Sequence, residues 1–145
     1  MTVSLRDVTD ADLPALFEHQ RDPESVRMTR VPARDAAAFA AHRASIRADP
    51  EVVWLAIDAD GELVGDVVSF VHDGQREVGY RLGREHWGRG IATAALAALH
   101  ARLPDRPLYA TVARDNPASR RVLEKCGFAL AGDDGRDGLR MVLSG

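Results

Sequence analysis

The sequence predicts an α/β protein built on a mixed sheet, and three observations carry that reading. The first is the stretch Arg84–Leu103, REHWGRGIATAALAALHARL. There a beta-reading segment ending at Leu82 passes through two closely spaced glycines into an alanine-rich helix. The second is the run Val52–Leu82, in which apolar segments alternate with the turn sequences Asp58-Ala59-Asp60-Gly61 and His72-Asp73-Gly74. The third is the close of the chain: a strand over Leu108–Ala113, a helix opening at Asn116-Pro117, and a terminal hairpin. Strands placed both between and after helices give a mixed sheet within one domain spanning residues 1–145.

Taken in order, Leu5–Val8 reads as a short first strand. Thr9, with Asp12 three residues on, marks a helix start. Leu13, Leu16, Phe17 and Gln20 then share one side, and the helix ends near Gln20, before Asp22-Pro23. Val26–Pro32 reads as irregular and polar. A second helix runs from about Arg34 to Asp49-Pro50 and carries Phe39, Ala40 and Ile46. Val52–Ile57, Leu63–Val71 and Glu77–Leu82 are the next strands, with Gly65 marking a bulge or a close backbone approach. In the helix after the glycines, Ile91, Ala95, Ala98 and Leu99 recur at a 3.6-residue period, and Leu96 and Leu103 extend the apolar surface. Asparagine as cap and proline at the first position open the last helix, which Gly127 ends. Phe128–Ala131 and Leu139–Leu143 form the hairpin across Gly132–Gly138.

The totals exclude several classes of function. A net charge of −3 with a pI near 5.9 lacks the broad basic footprint of a nucleic-acid binder. The single cysteine, Cys126, allows no internal disulfide and reads as a small core residue. MTVSLRDVTD shows no secretory pattern, and no apolar run approaches a bilayer span, so the expected setting is cytoplasmic and off the membrane. His72 and His86 stand without companions at ligand spacing, so no metal site is expected.

The glycine turn is where chemistry enters. Unpaired N–H groups in the first turn of a helix must meet water, a side chain or an anion. Gly88 and Gly90 let the backbone approach a ligand closely, and Arg84 and Arg89 add positive charge. A diphosphate suits such a terminus. A tight strand-to-helix turn with no ligand is the competing account.

These residues resemble the acyl-coenzyme A binding motif of the GNAT N-acetyltransferase superfamily. EVGYRLG before WGRGIATAAL, and the later NPASRRVLEKCGF, are similar to the branch containing ribosomal-protein N-terminal acetyltransferases. One departure is Glu85, where the family pattern places Gln or Arg. The resemblance implies a GNAT-like fold whose sheet splays between Glu77–Leu82 and Leu108–Ala113, with the acyl-pantetheine arm of acetyl-coenzyme A entering that gap. It implies that the Leu82 backbone N–H faces the acyl carbonyl. Arg84, Gly88, Arg89, Gly90, Ile91, Ala92 and Thr93 form the diphosphate cradle, and Trp87 packs at its rim. Asn116 and Ser119 contact the cofactor arm, and Ser119 is also the candidate donor to the departing thiolate, although Asn116 caps its helix on any account. The tyrosine that many relatives use one turn further on is replaced by Leu123, with Tyr80 and Tyr109 elsewhere, so a tyrosine mechanism is not expected at its usual place.

Glu77 is the candidate base. Strand alternation puts it with Gly79 and Arg81 on a polar strip, opposite Val78, Tyr80 and Leu82, and a solvent-facing glutamate is the rival reading. His19, near the end of the first helix, is either a pocket residue or a charge at a helix terminus. The expected reaction is direct transfer of an acetyl group from acetyl-coenzyme A to a primary amine, on a protein N-terminus or a small molecule, without a metal. The recognising loops around Asp22–Pro32 and Gly132–Gly138 carry no readable acceptor code, and Arg27 and Arg30 either meet an acidic acceptor or are plain surface. The chain is read as a monomer or homodimer. A dinucleotide oxidoreductase is disfavoured because neither G-x-G-x-x-G after the first strand nor a P-loop is present. A non-catalytic acyl-coenzyme A sensor or interaction domain on the same fold stands as the alternative.

Overall fold

Two tight turns shape the middle of the sheet. Asp60-Gly61 and Asp73-Gly74 all take positive φ (50°, 82°, 51° and 73°), the geometry of two-residue hairpin loops whose twist matches that of their strands. In the computed structural model, which describes residues 1–145, these turns join β2 (Val53–Ala59), β3 (Glu62–His72) and β4 (Gln75–Leu82) into an antiparallel meander. β1 (Val3–Asp7) borders β2. β5 (Leu108–Ala113), β6 (Ala129–Asp133) and β7 (Gly138–Leu143) complete a seven-stranded sheet in the order β1-β2-β3-β4-β5-β7-β6. Only β4 and β5 run parallel, so the sheet is mixed as expected.

The helices are α1 (Leu13–Arg21), α2 (Pro23–Thr29), α3 (Ala36–Ala48), α4 (Ile91–Arg102) and α5 (Pro117–Lys125). Thr9 does open the first helical segment, but as the cap of a 3-10 turn over Asp10–Asp12, where the Asp12 carboxylate accepts from the Thr9 N–H at 2.8 Å. α2 corrects the reading of Val26–Pro32 as irregular. Asp22 caps it, its Oδ1 accepting the Glu24 N–H at 2.8 Å, and Pro23 sits at the first position. Arg30, in left-handed conformation, ends it. The dipeptide that stops α1 thus also starts α2. The polar turn of the last hairpin is shorter than expected, because β6 continues to Asp133 through an irregularity between Leu130 and Gly132.

The core lies on one face of the sheet, under α4. Ile91, Ala95, Leu96 and Leu99 are buried there against Leu5, Leu55, Ile57, Val67 and Val78. Alanines keep the helix surface low, so its backbone can sit close to the strands. Each large aliphatic side chain buried this way stabilises the fold by about 1.5–3 kcal/mol. Cys126 packs half-buried against this core, its thiol 3.5 Å from the Thr93 carbonyl and pushed up by burial, as befits a small packing residue. No helix is long and apolar enough to cross a membrane.

Candidate active site

The site begins with an opening in the sheet. β4 and β5 pair only at Arg76↔Leu108 and Glu77↔Tyr109, while β4 stays on β3 as far as Leu82 and β5 stays on β7 along its whole length. Beyond Glu77 the two strands part, and the edge of β4 that faces β5 is left without a ladder partner. This is the splay expected between Glu77–Leu82 and Leu108–Ala113. Gly65 contributes on the other side of β4. The register of β2 and β3 shifts beside it, and a Cβ there would stand 2.1 Å from the Arg81 carbonyl oxygen. Both readings of Gly65, bulge and close approach, therefore hold.

A cavity of about 620 Å³ fills the opening and reaches both faces of the sheet. On the helix side it is walled by Tyr80, Asn116, Ser119 and Leu123. On the opposite side its floor is a patch of cross-strand neighbours, Asp66 opposite Arg81, Val68 opposite Gly79 and Phe70 opposite Glu77, with Trp54 beside Val68. α3 covers this floor with Phe39, His42 and Ile46 and buries none of its own residues fully. It is fastened by Arg43 and Arg47 to Asp10 and by an edge-on contact between Phe39 and Phe17.

Glu77 lies at the apex, where the strands part. It is only 8% exposed, so it is not a solvent-facing glutamate, and its Oε1 accepts from Arg140 Nη1 at 3.0 Å. Gly79 and Arg81 share its side, as alternation implies. Asn116 caps α5, its Oδ1 accepting the Ser119 N–H at 3.2 Å, while its amide donates to the Met28 carbonyl and ties α5 to α2. The Ser119 hydroxyl faces the cavity and accepts from the Tyr80 hydroxyl at 3.0 Å. Burial pushes the Tyr80 phenol up from its ordinary value. A tyrosine is therefore present in the opening after all, supplied by β4 rather than by α5.

The glycine turn sits at the start of α4. Gly88 and Gly90 take φ of 75° and 80°, and a Cβ at either would meet nothing within 4 Å. Their first role is thus conformational, and the space beside them is open. No side chain caps α4, whose first hydrogen bond runs from the Ala94 N–H to the Gly90 carbonyl. Ile91 and Ala92 are buried, and Thr93 is half-buried. Arg84 pairs with Asp22 at 3.2 Å, whereas Arg89 reaches only His86 Nδ1 and the Met1 sulfur. Trp87 packs against the core and donates its indole N–H to the Leu82 carbonyl at 3.1 Å. Leu82 is buried at the end of β4, outside the cavity wall.

Other expected residues fall elsewhere. His19 packs on Gly83, where a Cβ would come within 2.8 Å of its Nε2, and burial lowers its pKa. Arg27 pairs with Glu24, and Arg30 with Asp115 and Asp137. No group of histidine, cysteine or acidic side chains is arranged to hold a metal ion.

Sequence reasoning passed over Tyr80, Asp66, Trp54 and Arg34. Tyr80 was the most accessible of these: alternation already placed it opposite Glu77, on the side that the last helix must cover.

Comparison with known proteins agrees with this architecture. AAC(6')-Ib, an aminoglycoside acetyltransferase solved in complex with coenzyme A, superposes with a TM-score of 0.84 at 24% identity, over 99% of this chain and 95% of that one. An acetyltransferase from Thermus thermophilus gives 0.84 at 22% identity, covering 98% and 96%. One from Agrobacterium tumefaciens gives 0.79 at 25% identity, covering 97% and 89%. A search of curated protein sequences returns no match. The family model described as an acetyltransferase (GNAT) domain matches residues 2–129. With that match running through the first strand, the parted strands and the last helix, the chain belongs to the GNAT acetyltransferase family.

Proposed function

We propose that the chain transfers an acetyl group from acetyl-coenzyme A directly to a primary amine, either a protein or peptide N-terminal α-amine or the amine of a small molecule. The observation that carries this reading is the opening between β4 and β5, with a cavity reaching both faces, Glu77 at its apex and the Tyr80–Ser119 hydroxyl pair on its wall.

The residues fit the cosubstrate. Apart from the Leu82 carbonyl, which Trp87 holds, the N–H and C=O groups of β4 that face the gap beyond Glu77 need partners, which an extended amide-containing arm supplies in the manner of an added strand. The uncapped start of α4, behind two positive-φ glycines with open space beside them, suits a diphosphate held by backbone N–H groups, and Arg89 stands there without an acidic partner. Arg84 is neutralised by Asp22, so the backbone from Arg89 to Thr93 carries more of the cradle than Arg84 does. AAC(6')-Ib has been solved with acetyl-coenzyme A and with coenzyme A, which supports the same cosubstrate here.

Acetyl-coenzyme A supplies an activated thioester. The chain's own groups handle protons and orientation. An attacking amine must be neutral, and Glu77 accepts its proton directly or through a water, one carboxylate oxygen remaining on Arg140. As the C–N bond forms and the C–S bond breaks, the sulfur needs a proton. The Ser119 hydroxyl is set to provide it, because Tyr80 donates to its oxygen and leaves its own hydrogen free, and the second proton shed by the nitrogen as the amide forms restores the hydroxyl pair. Asn116 holds the start of α5 in place and so fixes Ser119.

The test has two stages. Thermal unfolding with acetyl-coenzyme A, coenzyme A, NAD and ATP in parallel reads the cofactor. A ligand at 100 times its dissociation constant adds roughly 2.7 kcal/mol, and the rise is expected for the two coenzyme A species alone. Thiol release across an amine panel then reads the transfer. Binding with no thiol release from any amine would replace the enzyme with a sensor on the same fold.

A further inference from the structure

The cavity floor has a charge pattern that transfer chemistry does not use. Three basic side chains line that side: Arg81 on β4, His42 on α3, and Arg34 just before α3. None makes a side-chain hydrogen bond or ion pair. The Arg81 Nε is buried without a partner, although Asp66 stands opposite it in the strand register. Arginines elsewhere around the opening behave differently: Arg30 is paired with Asp115 and Asp137, Arg84 with Asp22, and Arg140 with Glu77.

The acids on this wall are already engaged. Asp66 accepts the Trp54 indole N–H at 2.8 Å, Glu77 accepts from Arg140, and Asp49 accepts the Glu51 N–H at 2.9 Å. Arg34 is also held in place. The buried Gln20 amide grips its backbone from both sides, accepting the Arg34 N–H at 2.8 Å and donating to the Arg34 carbonyl at 2.9 Å. The peptide is clamped while the guanidinium is left free.

A guanidinium keeps its charge in any protein, and removing it from water without a partner is costly. Desolvation pushes the proton affinity of Arg81 down against the opposing charge of Asp66, and that of His42 down as well, which leaves the imidazole neutral and free to donate an N–H. A planar, bidentate anion relieves that cost.

We propose that the acceptor amine carries a carboxylate, which seats on Arg81, Arg34 and His42 across the floor of the cavity while its amine points toward Glu77. This rests on the transfer reading above and names its substrate class. It also separates this chain from the aminoglycoside acetyltransferase it resembles in fold, because an amino sugar bearing several cations would meet the Arg81 and Arg34 guanidiniums here. The carboxylate belongs either to a small amino acid or to an acidic side chain behind a peptide N-terminus.

Equilibrium binding in the presence of saturating coenzyme A tests the subsite without requiring turnover. One arm compares β-alanine with its amide, and the other compares C-terminally amidated Ala-Glu with Ala-Gln. In at least one arm the carboxylate ligand is expected to bind about 10- to 100-fold more tightly than its neutral twin. The arm that discriminates identifies the source. Arg81→Gln should remove the advantage, and Arg34→Gln should reduce it; the second variant, at a half-exposed residue, serves if the first does not fold. Equal or better binding of the neutral ligands in both arms, no binding by any of the four, or a preference that survives both variants overturns the proposal. Thiol release is scored separately. Charge-selective binding without thiol release preserves the subsite and overturns the transfer reading, while thiol release without charge selectivity does the reverse.

Discussion

Replacing Glu77 with glutamine separates a chemical role from a structural one. Glu77 is 8% exposed, and its Oε1 accepts from Arg140 Nη1 at 3.0 Å. Arg140 has other support: Gln75 Oε1 at 2.7 Å, Thr111 Oγ1 at 3.2 Å, and the Tyr109 ring 4.6 Å from its guanidinium carbon. A glutamine carbonyl still accepts from Arg140, so folding should lose about 1–2 kcal/mol, short of the roughly 3–5 kcal/mol for stranding a buried charge. Loss of a positioned base costs about 10²- to 10⁴-fold in rate, roughly 2.7–5.5 kcal/mol of barrier. The assay is thiol release at saturating acetyl-coenzyme A, with its dissociation constant measured alongside. A fall in kcat of at least about 100-fold at nearly unchanged affinity is expected. The deficit should shrink as pH rises toward the acceptor's own titration, about 8 for an α-amine and 10 for a lysine amine, because the amine then loses its proton unaided. Full turnover in the variant, or a deficit that is the same at every pH, refutes the base role.

Three further outcomes follow from the geometry. In the Tyr80–Ser119 pair, Ser119→Ala should lower kcat more than Tyr80→Phe, and the double variant should be no worse than Ser119→Ala alone; additive losses in steady-state kinetics would separate the two hydroxyls. Arg6, through its hydrogen bonds and charge, holds the Asp12 carboxyl at about 2, below the 3.8 it has unperturbed. A depressed carboxyl stabilises fully above its unfolded value and loses that contribution as pH falls through its folded one. Asp12→Asn should therefore cost roughly 1–2 kcal/mol at neutral pH, after allowing for screening at the half-exposed Arg6, and flatten the acid limb between about pH 4 and 2 in urea titrations. Gly65→Ala places a Cβ 2.1 Å from the Arg81 carbonyl oxygen and 2.9 Å from Leu82 Cδ2, so a loss of about 2–4 kcal/mol is expected by thermal unfolding.

Local chemistry made most of the fold legible. Positive-φ Asp-Gly pairs, an Asn-Pro helix start, and apolar spacing on α4 each act within a few residues of themselves, and each of those elements lies where the sequence puts it, within a residue or two. α2 shows where local reading stops short. Asp22-Pro23 carries the same cap-and-proline chemistry as Asn116-Pro117, yet a proline after a helix reads first as its end. The polar, amphipathically weak segment that follows offers no stripe to say a new helix has begun. What orders it is non-local: Arg30 pairs with Asp115 and Asp137, and Asn116 donates to the Met28 carbonyl.

The site divides along the same line. Glu77, Ser119 and the glycine turn sit in patterned sequence and were readable as candidates, whereas Tyr80 acquires its place only when β4 and α5, 39 positions apart, are brought together. The position one turn beyond Ser119 is Leu123, whose buried side chain packs the wall instead. A hydroxyl is required at a point in space, and a strand and a helix that face each other across an opening can each supply it. The same reasoning governs charge. A net charge of −3 is an average over the surface, and it is compatible with a cavity floor on which the side chains of Arg34, His42 and Arg81 make no hydrogen bond or ion pair. Register decides that floor, because one residue's slip of β4 against β3 would turn Arg81 and Glu77 toward α4 and leave Tyr80 facing α3. The missing side chain at Gly65, which lets β3 lie hard against β4 at Arg81 and Leu82, therefore helps to set the floor proposed to receive the acceptor.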